Sequence, residues 1–294
     1  MRASEPVYRL VDLTIVAFWI LWTTLALTAP GEVKGRWPWC LAGLAIAALA
    51  FWMPRLLGDA GERRVFAVRA TFTSVAILSA FTQLGFVIPG WSERTFEPQL
   101  IAIDRWMFGV DPTIWMGRFA RPWLTELLQL VYSTFYFLPF VLGFFLYREG
   151  RWRELAKVFL AVALGFYLSY IGYLLVPARS PVYPLHDGEA LPGLWLTQHV
   201  WTVLSSLEAN KLDAFPSGHT EVTLVLMILA YRTSRRRAFP ILAILGSLLI
   251  FSTVYLRYHY VIDVVVGIAL ALVVVWLTGF LVAFSERSAQ TGIS

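Results

Sequence analysis

Long apolar runs constrain this chain more than any other feature of its sequence. Several of them reach about 20 residues, the length at which a helix crosses a hydrocarbon core of about 30 Å. Hydrophobic residues make up 58% of the 294 positions and charged residues only 15%, a balance that excludes an ordinary soluble domain. We therefore predict an all-α fold, a polytopic integral membrane helix bundle that forms a single membrane domain over 1–294. About eight spans are expected, near 10–29, 37–57, 65–89, 123–147, 153–176, 218–233, 239–256 and 260–284.

The distribution of arginine and lysine predicts which side of the membrane each connection faces. Connections rich in these residues stay in the cytoplasm, so the net charge of +5 is read as a topology signal, and nucleic acid is not expected as a partner. The connections after the third, fifth and seventh spans then face outward, and they contain Arg179, the approach to His219, and His259. The basic residues that mark the cytoplasmic connections are Arg55, Arg63, Arg64, Arg148, Arg151, Arg153, Lys157, Arg232, Arg235, Arg236 and Arg237.

Two outward stretches mix aromatic and polar residues. Residues 91–122 are too long for a plain hairpin and are predicted to be an interfacial outward segment with an amphipathic helix. They either cover the site or pack on the bundle as a loop. Residues 193–212 carry Trp195 and Trp201 and are expected to form a second interfacial helix, because aromatic residues favour that depth. The single cysteine, Cys40, excludes an internal disulfide and a cysteine-based metal cluster.

The stretch from Phe215 to Thr220 predicts an anion site at a helix start. Pro216 stops any helix before it, and an apolar run follows from Val222. Ser217 can cap the helix, while Gly218 lets a ligand approach the backbone. The free N–H groups of a first helical turn point toward a negative group, so this is a phosphate site in outline.

Two further elements complete the candidate site. His259 and Asp263 are separated by one helical turn and share one helix face, and Arg179 supplies a cation between two prolines. Each residue also has a simpler interpretation: Arg179 can be an arginine that extends its charge to the membrane edge, and the acidic residues at span ends can pair with neighbours. His186, His199, Glu126 and Glu221 are assigned no role.

Together these residues predict phosphoryl transfer through a covalent histidine. His259 would attack phosphorus, and Asp263 would orient it and stabilise the cation that develops. His219 would donate a proton to the leaving oxygen. Arg179 and the backbone around Ser217 and Gly218 would bind the phosphate oxygens. No metal site and no cofactor are predicted.

The order Pro-x-Arg-x-Pro, Phe-Pro-Ser-Gly-His and Tyr-x-x-Tyr-His-Tyr-x-x-Asp-Val-x-x-Gly resembles the type 2 phosphatidic acid phosphatase superfamily of membrane lipid phosphatases. Residues 103–112 are similar to the branch that contains inositol phosphorylceramide synthase. The resemblance implies a catalytic core of about six helices, placed at 123–284, with interfacial helices beside it. Two positions depart from the superfamily pattern: Gly172 and Thr253 stand where cations are usual. Arg257 is the candidate phosphate-binding replacement.

The expected function is therefore that of a membrane lipid phosphatase or phosphotransferase. It would open a lipid phosphoester at the outer leaflet, on the extracytoplasmic face, with a lipid phosphate as substrate and the bilayer as surroundings. One alternative is a phospho-head-group transferase, similar to inositol phosphorylceramide or sphingomyelin synthase, with an alcohol or ceramide as acceptor. A further alternative is a non-catalytic lipid-binding or transport protein, in which intramembrane charges line a pathway.

Overall fold

The computed structural model describes residues 4–207 and 211–291. Residues 1–3, 208–210 and 292–294, which the predicted domain 1–294 includes, lie outside the described residues, and 208–210 belong to the predicted interfacial helix 193–212. The all-α prediction is confirmed, since the elements of the described part are helices. They are α1 Glu5–Thr28, α2 Arg36–Leu57, α3 Glu62–Trp91, α4 Glu97–Phe108, α5 Pro112–Gly117, α6 Pro122–Ser133, a 3₁₀ turn Thr134–Phe137, α7 Leu138–Arg148, α8 Trp152–Leu175, α9 Val182–His186, α10 Thr197–Leu207, α11 Gly218–Thr233, α12 Ala238–Tyr255 and α13 Val261–Thr291.

Seven helical stretches of the described chain are long and apolar enough to cross a membrane, which confirms a polytopic bundle. One of them, Pro122–Arg148, joins α6 and α7 through the 3₁₀ turn. Pro139 at the start of α7 explains why the α-helix is interrupted by this 3₁₀ turn, because its nitrogen cannot donate the helical hydrogen bond. The seven stretches correspond to the predicted spans except 218–233.

The stretch predicted as the sixth span, 218–233, is the 16-residue helix α11. At 1.5 Å per residue it is roughly 24 Å long, shorter than a hydrocarbon core. It packs against α8, α12 and α13, and Val222, Val225 and Leu226 are buried. The short length is tolerated because protein rather than lipid surrounds this helix, and its first turn lies inside the bundle.

The segment 91–122 contains the predicted amphipathic helix and a second, shorter one. α4 ends at Gly109, whose φ of 70° gives a left-handed cap, and α5 follows. Trp106 and Phe108 are exposed, whereas Glu97, Leu100 and Asp104 on α4 are buried against the connections that follow α8 and precede α13. The segment thus covers those connections, and its position at a membrane surface stays a prediction.

The three N-terminal helices form a separate layer on α8. α1 pairs with α2, and α1 and α3 both pack on α8. Arg69 of α3 is 1% exposed and donates to Glu5 and Asp12 of α1, including Nη2 to Oδ2 of Asp12 at 2.7 Å. A buried charge needs such partners, so these residues join α1 to α3 at the end of the bundle opposite the start of α11.

Candidate active site

The three connections that carry the candidate residues meet at one end of the bundle. The Ala214 N–H donates to the Ala178 carbonyl over 3.0 Å, which joins the connection after α8 to the approach to α11. The Tyr260 hydroxyl donates to the Arg179 carbonyl over 3.2 Å and adds the connection before α13. Segments distant in sequence are therefore in direct contact, and they share one side as the topology predicts.

His259 is fixed by bonds on both its backbone and its ring. Its N–H donates to the Thr253 carbonyl over 3.0 Å, and its side chain is 4% exposed. The ring Nδ1 lies 2.7 Å from the Ala214 carbonyl oxygen and 3.4 Å from Oδ2 of Asp263. A carbonyl can only accept, so in the neutral ring Nδ1 carries the proton and Nε2 keeps a lone pair, which faces Nδ1 of His219. That is the tautomer a nucleophile needs.

The structure gives Asp263 a shared part in orienting His259. Its Oδ2 accepts a hydrogen bond from the Tyr260 N–H over 2.8 Å, so the carboxylate also holds the turn that leads into α13. The nearer acceptor for the His259 ring is the Ala214 carbonyl, which sequence reasoning did not identify. A backbone carbonyl has no sequence signature, so no pattern pointed to it.

The start of α11 is built as predicted. Ser217 is the N-cap, and its Oγ accepts from the Thr220 N–H over 3.2 Å. Its own N–H donates to the Asp263 carbonyl over 3.1 Å, and the residue is fully buried. A direct contact of Ser217 with phosphate would have to replace these bonds, so the structure shows Ser217 first as the residue that holds α11 against α13.

Gly218 lies against α8. A Cβ at this position would be 2.6 Å from the Tyr173 hydroxyl and 3.2 Å from Oγ of Ser169. Both distances are shorter than ordinary van der Waals contact, so an added methyl would force the Tyr173 side chain to move within a packed interior. The approach of a ligand to the Gly218 backbone stays a prediction, and Tyr173 fills the direction in which a side chain would extend.

The two histidine rings are in contact. Nδ1 of His219 is 3.4 Å from Nε2 of His259, and the ring of His219 also packs on Tyr132 and Phe135 with centroid distances of 4.6 and 4.3 Å. Two nitrogens this close leave no room for a phosphoryl group between them. If His259 attacks phosphorus as the sequence predicts, the substrate has to displace the His219 ring from Nε2 of His259.

Arg179 is held by an acidic residue of α4. Oε1 of Glu97 accepts from Nε of Arg179 over 2.9 Å and from its N–H over 3.0 Å. Burial alone would raise the pKa of Glu97, but hydrogen bonds from Thr95 and Arg179 outweigh it and keep that pKa below its ordinary value. The Arg179 side chain is 50% exposed, so the Glu97 carboxylate holds Nε while the rest of the guanidinium stays accessible.

A second acidic residue of α4 caps α13. Oδ2 and Oδ1 of Asp104 accept from the N–H groups of Val261 and Ile262 over 2.8 and 2.9 Å. A carboxylate at a helix start is stabilising because it satisfies free N–H groups and complements the helix dipole. Sequence reasoning missed both Glu97 and Asp104, although their seven-residue spacing places them on one face of α4.

Arg257 is tied to the connection after α9. Its Nη1 donates to the Glu189 carbonyl over 2.7 Å, and burial lowers the pKa of its guanidinium from the ordinary value. Its role as a phosphate ligand stays a prediction. At the two departures from the superfamily pattern, a Cβ at Gly172 would be 2.4 Å from Cδ of Pro216, and Thr253 is fully buried. Long cationic side chains do not fit there without rearrangement.

The polar residues given no role have structural partners. His186 Nε2 lies 3.0 Å from Oγ1 of Thr113, and His199 Nδ1 lies 2.9 Å from the Trp195 carbonyl. Glu126 accepts from the backbone at the start of α10, and Glu221 accepts from Ser169. Within residues 4–207 and 211–291, no cluster of three or more His, Cys, Asp or Glu side chains has the arrangement of a metal site.

The part of the chain that contains the candidate site is similar to known proteins. A family model described as the PAP2 superfamily matches residues 98–277, which include Arg179, His219 and His259. Over 94% of its length the chain is 24% identical to a PA-phosphatase related-family protein of Dictyostelium discoideum, and it spans 56% of the length of that relative. No solved structure shows a significant match.

Proposed function

Because the chain belongs to the PAP2 superfamily, we infer that it is a membrane enzyme that cleaves a lipid phosphoester through a phosphohistidine at His259. The observation that carries this proposal is the hydrogen bonding of the His259 ring. Nδ1 is committed to the Ala214 carbonyl, so the Nε2 lone pair faces His219 and the space that His219 can vacate. A buried imidazole in a defined tautomer is the group that can attack phosphorus.

In the first half of the reaction, Nε2 of His259 forms a bond to phosphorus while the bond from phosphorus to the lipid oxygen breaks. His219, turned away from His259 and protonated, gives its proton to that oxygen. The cationic ring of the phosphohistidine keeps its Nδ1–H on the Ala214 carbonyl and near Asp263, contacts that the structure already contains. The pre-existing bonds mean that little reorganisation accompanies the chemistry.

In the second half of the reaction, water or an alcohol attacks the phosphohistidine, and neutral His219 takes the proton of the attacking group. Arg179 binds the phosphate oxygens with its outer end, while Glu97 holds Nε and the backbone. Hydrolysis and transfer share the first half and differ only in the acceptor. The resemblance of residues 103–112 to the inositol phosphorylceramide synthase branch supports ceramide or another lipid alcohol as the alternative acceptor.

The proposed reaction needs no metal ion and takes place at the extracytoplasmic face. The charge of the phosphoryl group is met by Arg179 and by the first turn of α11, at the end of the bundle away from the arginine-rich connections. Activity should therefore survive a chelator. Orthovanadate should inhibit, because it adopts a five-coordinate geometry that resembles the reacting phosphorus.

Incubation of the purified protein with a panel of lipid phosphates tests the proposal. Each reaction runs in chelator with and without diacylglycerol or ceramide, and free phosphate is scored against new phospholipid. Free phosphate identifies a phosphatase, and phospholipid formed only with added alcohol identifies a transferase. Loss of activity in chelator that added divalent metal restores would contradict the mechanism. Lipid binding without turnover of any panel member would favour a lipid-binding protein instead.

A further inference from the structure

Four rings form a continuous stack that ends on His219. The Trp201 and Tyr258 centroids are 5.5 Å apart with planes at 27°, Tyr258 and Tyr132 are 4.3 Å apart at 16°, and Tyr132 and His219 are 4.6 Å apart at 29°. These four residues are called the aromatic column. Tyr132 is 3% exposed, so its ring is enclosed between Tyr258 and His219.

Helix α6 holds the column in place. Gln129, one turn before Tyr132, accepts a hydrogen bond from the Tyr258 hydroxyl over 3.2 Å. Glu126 accepts from the N–H and hydroxyl of Thr197 over 3.0 and 2.6 Å, which fixes the start of the helix that carries Trp201. The stacking of Tyr258 on Tyr132 is therefore reinforced by polar bonds from the same helix face.

The surroundings of His219 offer its protonated form aromatic rings rather than carboxylates. Nδ1 of His219 contacts Nε2 of His259, a second imidazole that becomes cationic once it is phosphorylated. Among the described residues, no ion pair joins His219 to a carboxylate. A cation over the face of an aromatic ring within about 6 Å is attracted by the ring's negative face. Tyr132 and Phe135 both lie within that distance, but the Tyr132 ring is the more nearly parallel to the imidazole, at 29° against 46°.

We propose that Tyr132 is a positioning residue for His219, and that the face of its ring stabilises the imidazolium which protonates the leaving oxygen. The proposal rests on the general-acid role given to His219 above. The contact with the enclosed Tyr132 ring restrains the tilt of the imidazole plane.

Replacement of Tyr132 by phenylalanine and by phenylalanines with increasing fluorination tests the ring face directly. Fluorine withdraws electron density from the face while the ring size changes little. Two substrates are compared. Phosphatidic acid in detergent micelles has an alkoxide leaving group, whereas the leaving group of nitrophenyl phosphate needs little protonation. Phe137→Leu is the matched control, because Phe137 follows in the same segment and is 66% exposed.

With full fluorination we expect kcat for phosphatidic acid to fall about 3- to 30-fold, the range an aromatic face contributes to a nearby cation. With Tyr132→Phe as the reference for the fluorinated series, KM and the nitrophenyl phosphate rate should change little, and Phe137→Leu should resemble the wild type. Equal losses on both substrates across the fluorinated series, or no response to fluorine, would overturn the role of the ring face. His219→Ala is measured beside them, because absence of any leaving-group dependence there would refute the acid role itself and thus the proposed function.

Discussion

Gly218→Ala tests how the start of α11 is held against α8. The added methyl would lie 2.6 Å from the Tyr173 hydroxyl and 3.2 Å from Oγ of Ser169. Overpacking of this kind costs about 1–3 kcal/mol in a tightly packed interior. Because His219 is the next residue, we expect the shift that relieves the clash to move its ring as well, and both the thermal unfolding midpoint and kcat on phosphatidic acid should fall.

Tyr173→Phe provides the matched second change, since it removes the hydroxyl oxygen that the new methyl would meet. The nearest remaining contact of the methyl would be Ser169 at 3.2 Å, which a small adjustment can relieve. In the double variant we expect recovery of much of the loss, with a coupling free energy of about 0.5–3 kcal/mol, as found for residues in contact. If the double variant is as impaired as Gly218→Ala, the packing argument is wrong. Gly218 would then be needed for the approach of the ligand to the backbone, as the sequence first indicated.

Two further predictions concern the connections at the site. In a Cys40→Ser background, Pro184→Cys should react with an impermeant thiol reagent from outside intact cells, whereas Arg236→Cys should react only after permeabilisation; the reverse pattern would place the site in the cytoplasm. Burial, and to a smaller extent the charge of Arg257, lowers the pKa of His186 to about 4 in the folded protein. Because the unfolded pKa is about 6.5, neutral His186 favours the folded state above pH 6.5, and this stabilisation is lost as the pH falls toward 4. The thermal unfolding midpoint should therefore drop over this pH interval in the wild type and drop less in His186→Asn. Equal drops would show that titration of His186 does not cause the pH dependence of stability.

The features that sequence predicted well are those set by neighbouring residues. Pro216, Ser217 and the apolar run after them define the start of α11 because each acts within one helical turn. The proximity of His259 and Asp263 is also local, with 3.4 Å between ring and carboxylate, but His259 lies just before α13, so the prediction of one shared helix face is wrong. The apolar runs similarly determine seven of the spans, since length and hydropathy are sufficient for that purpose.

The features that sequence did not predict depend on contacts between distant segments. The Ala214 carbonyl that fixes the His259 ring, and Glu97 that holds Arg179, become partners only when three connections meet. Asp104 likewise bonds to the start of a helix more than 150 positions away in the sequence. The short length of α11 is tolerated because other helices surround it, which hydropathy along one segment cannot reveal.

Acid-labile, alkali-stable phosphorylation of His259 is the most direct test of the proposed reaction. The purified enzyme is mixed with a lipid phosphate labelled in the phosphoryl group and quenched with alkali within the first turnover, and the labelled peptide is sequenced. We expect the label on His259, and we expect neither label nor turnover in His259→Ala, because no group remains to accept the phosphoryl group. Label on another residue, or turnover that persists in a folded His259→Ala variant, would contradict the covalent mechanism.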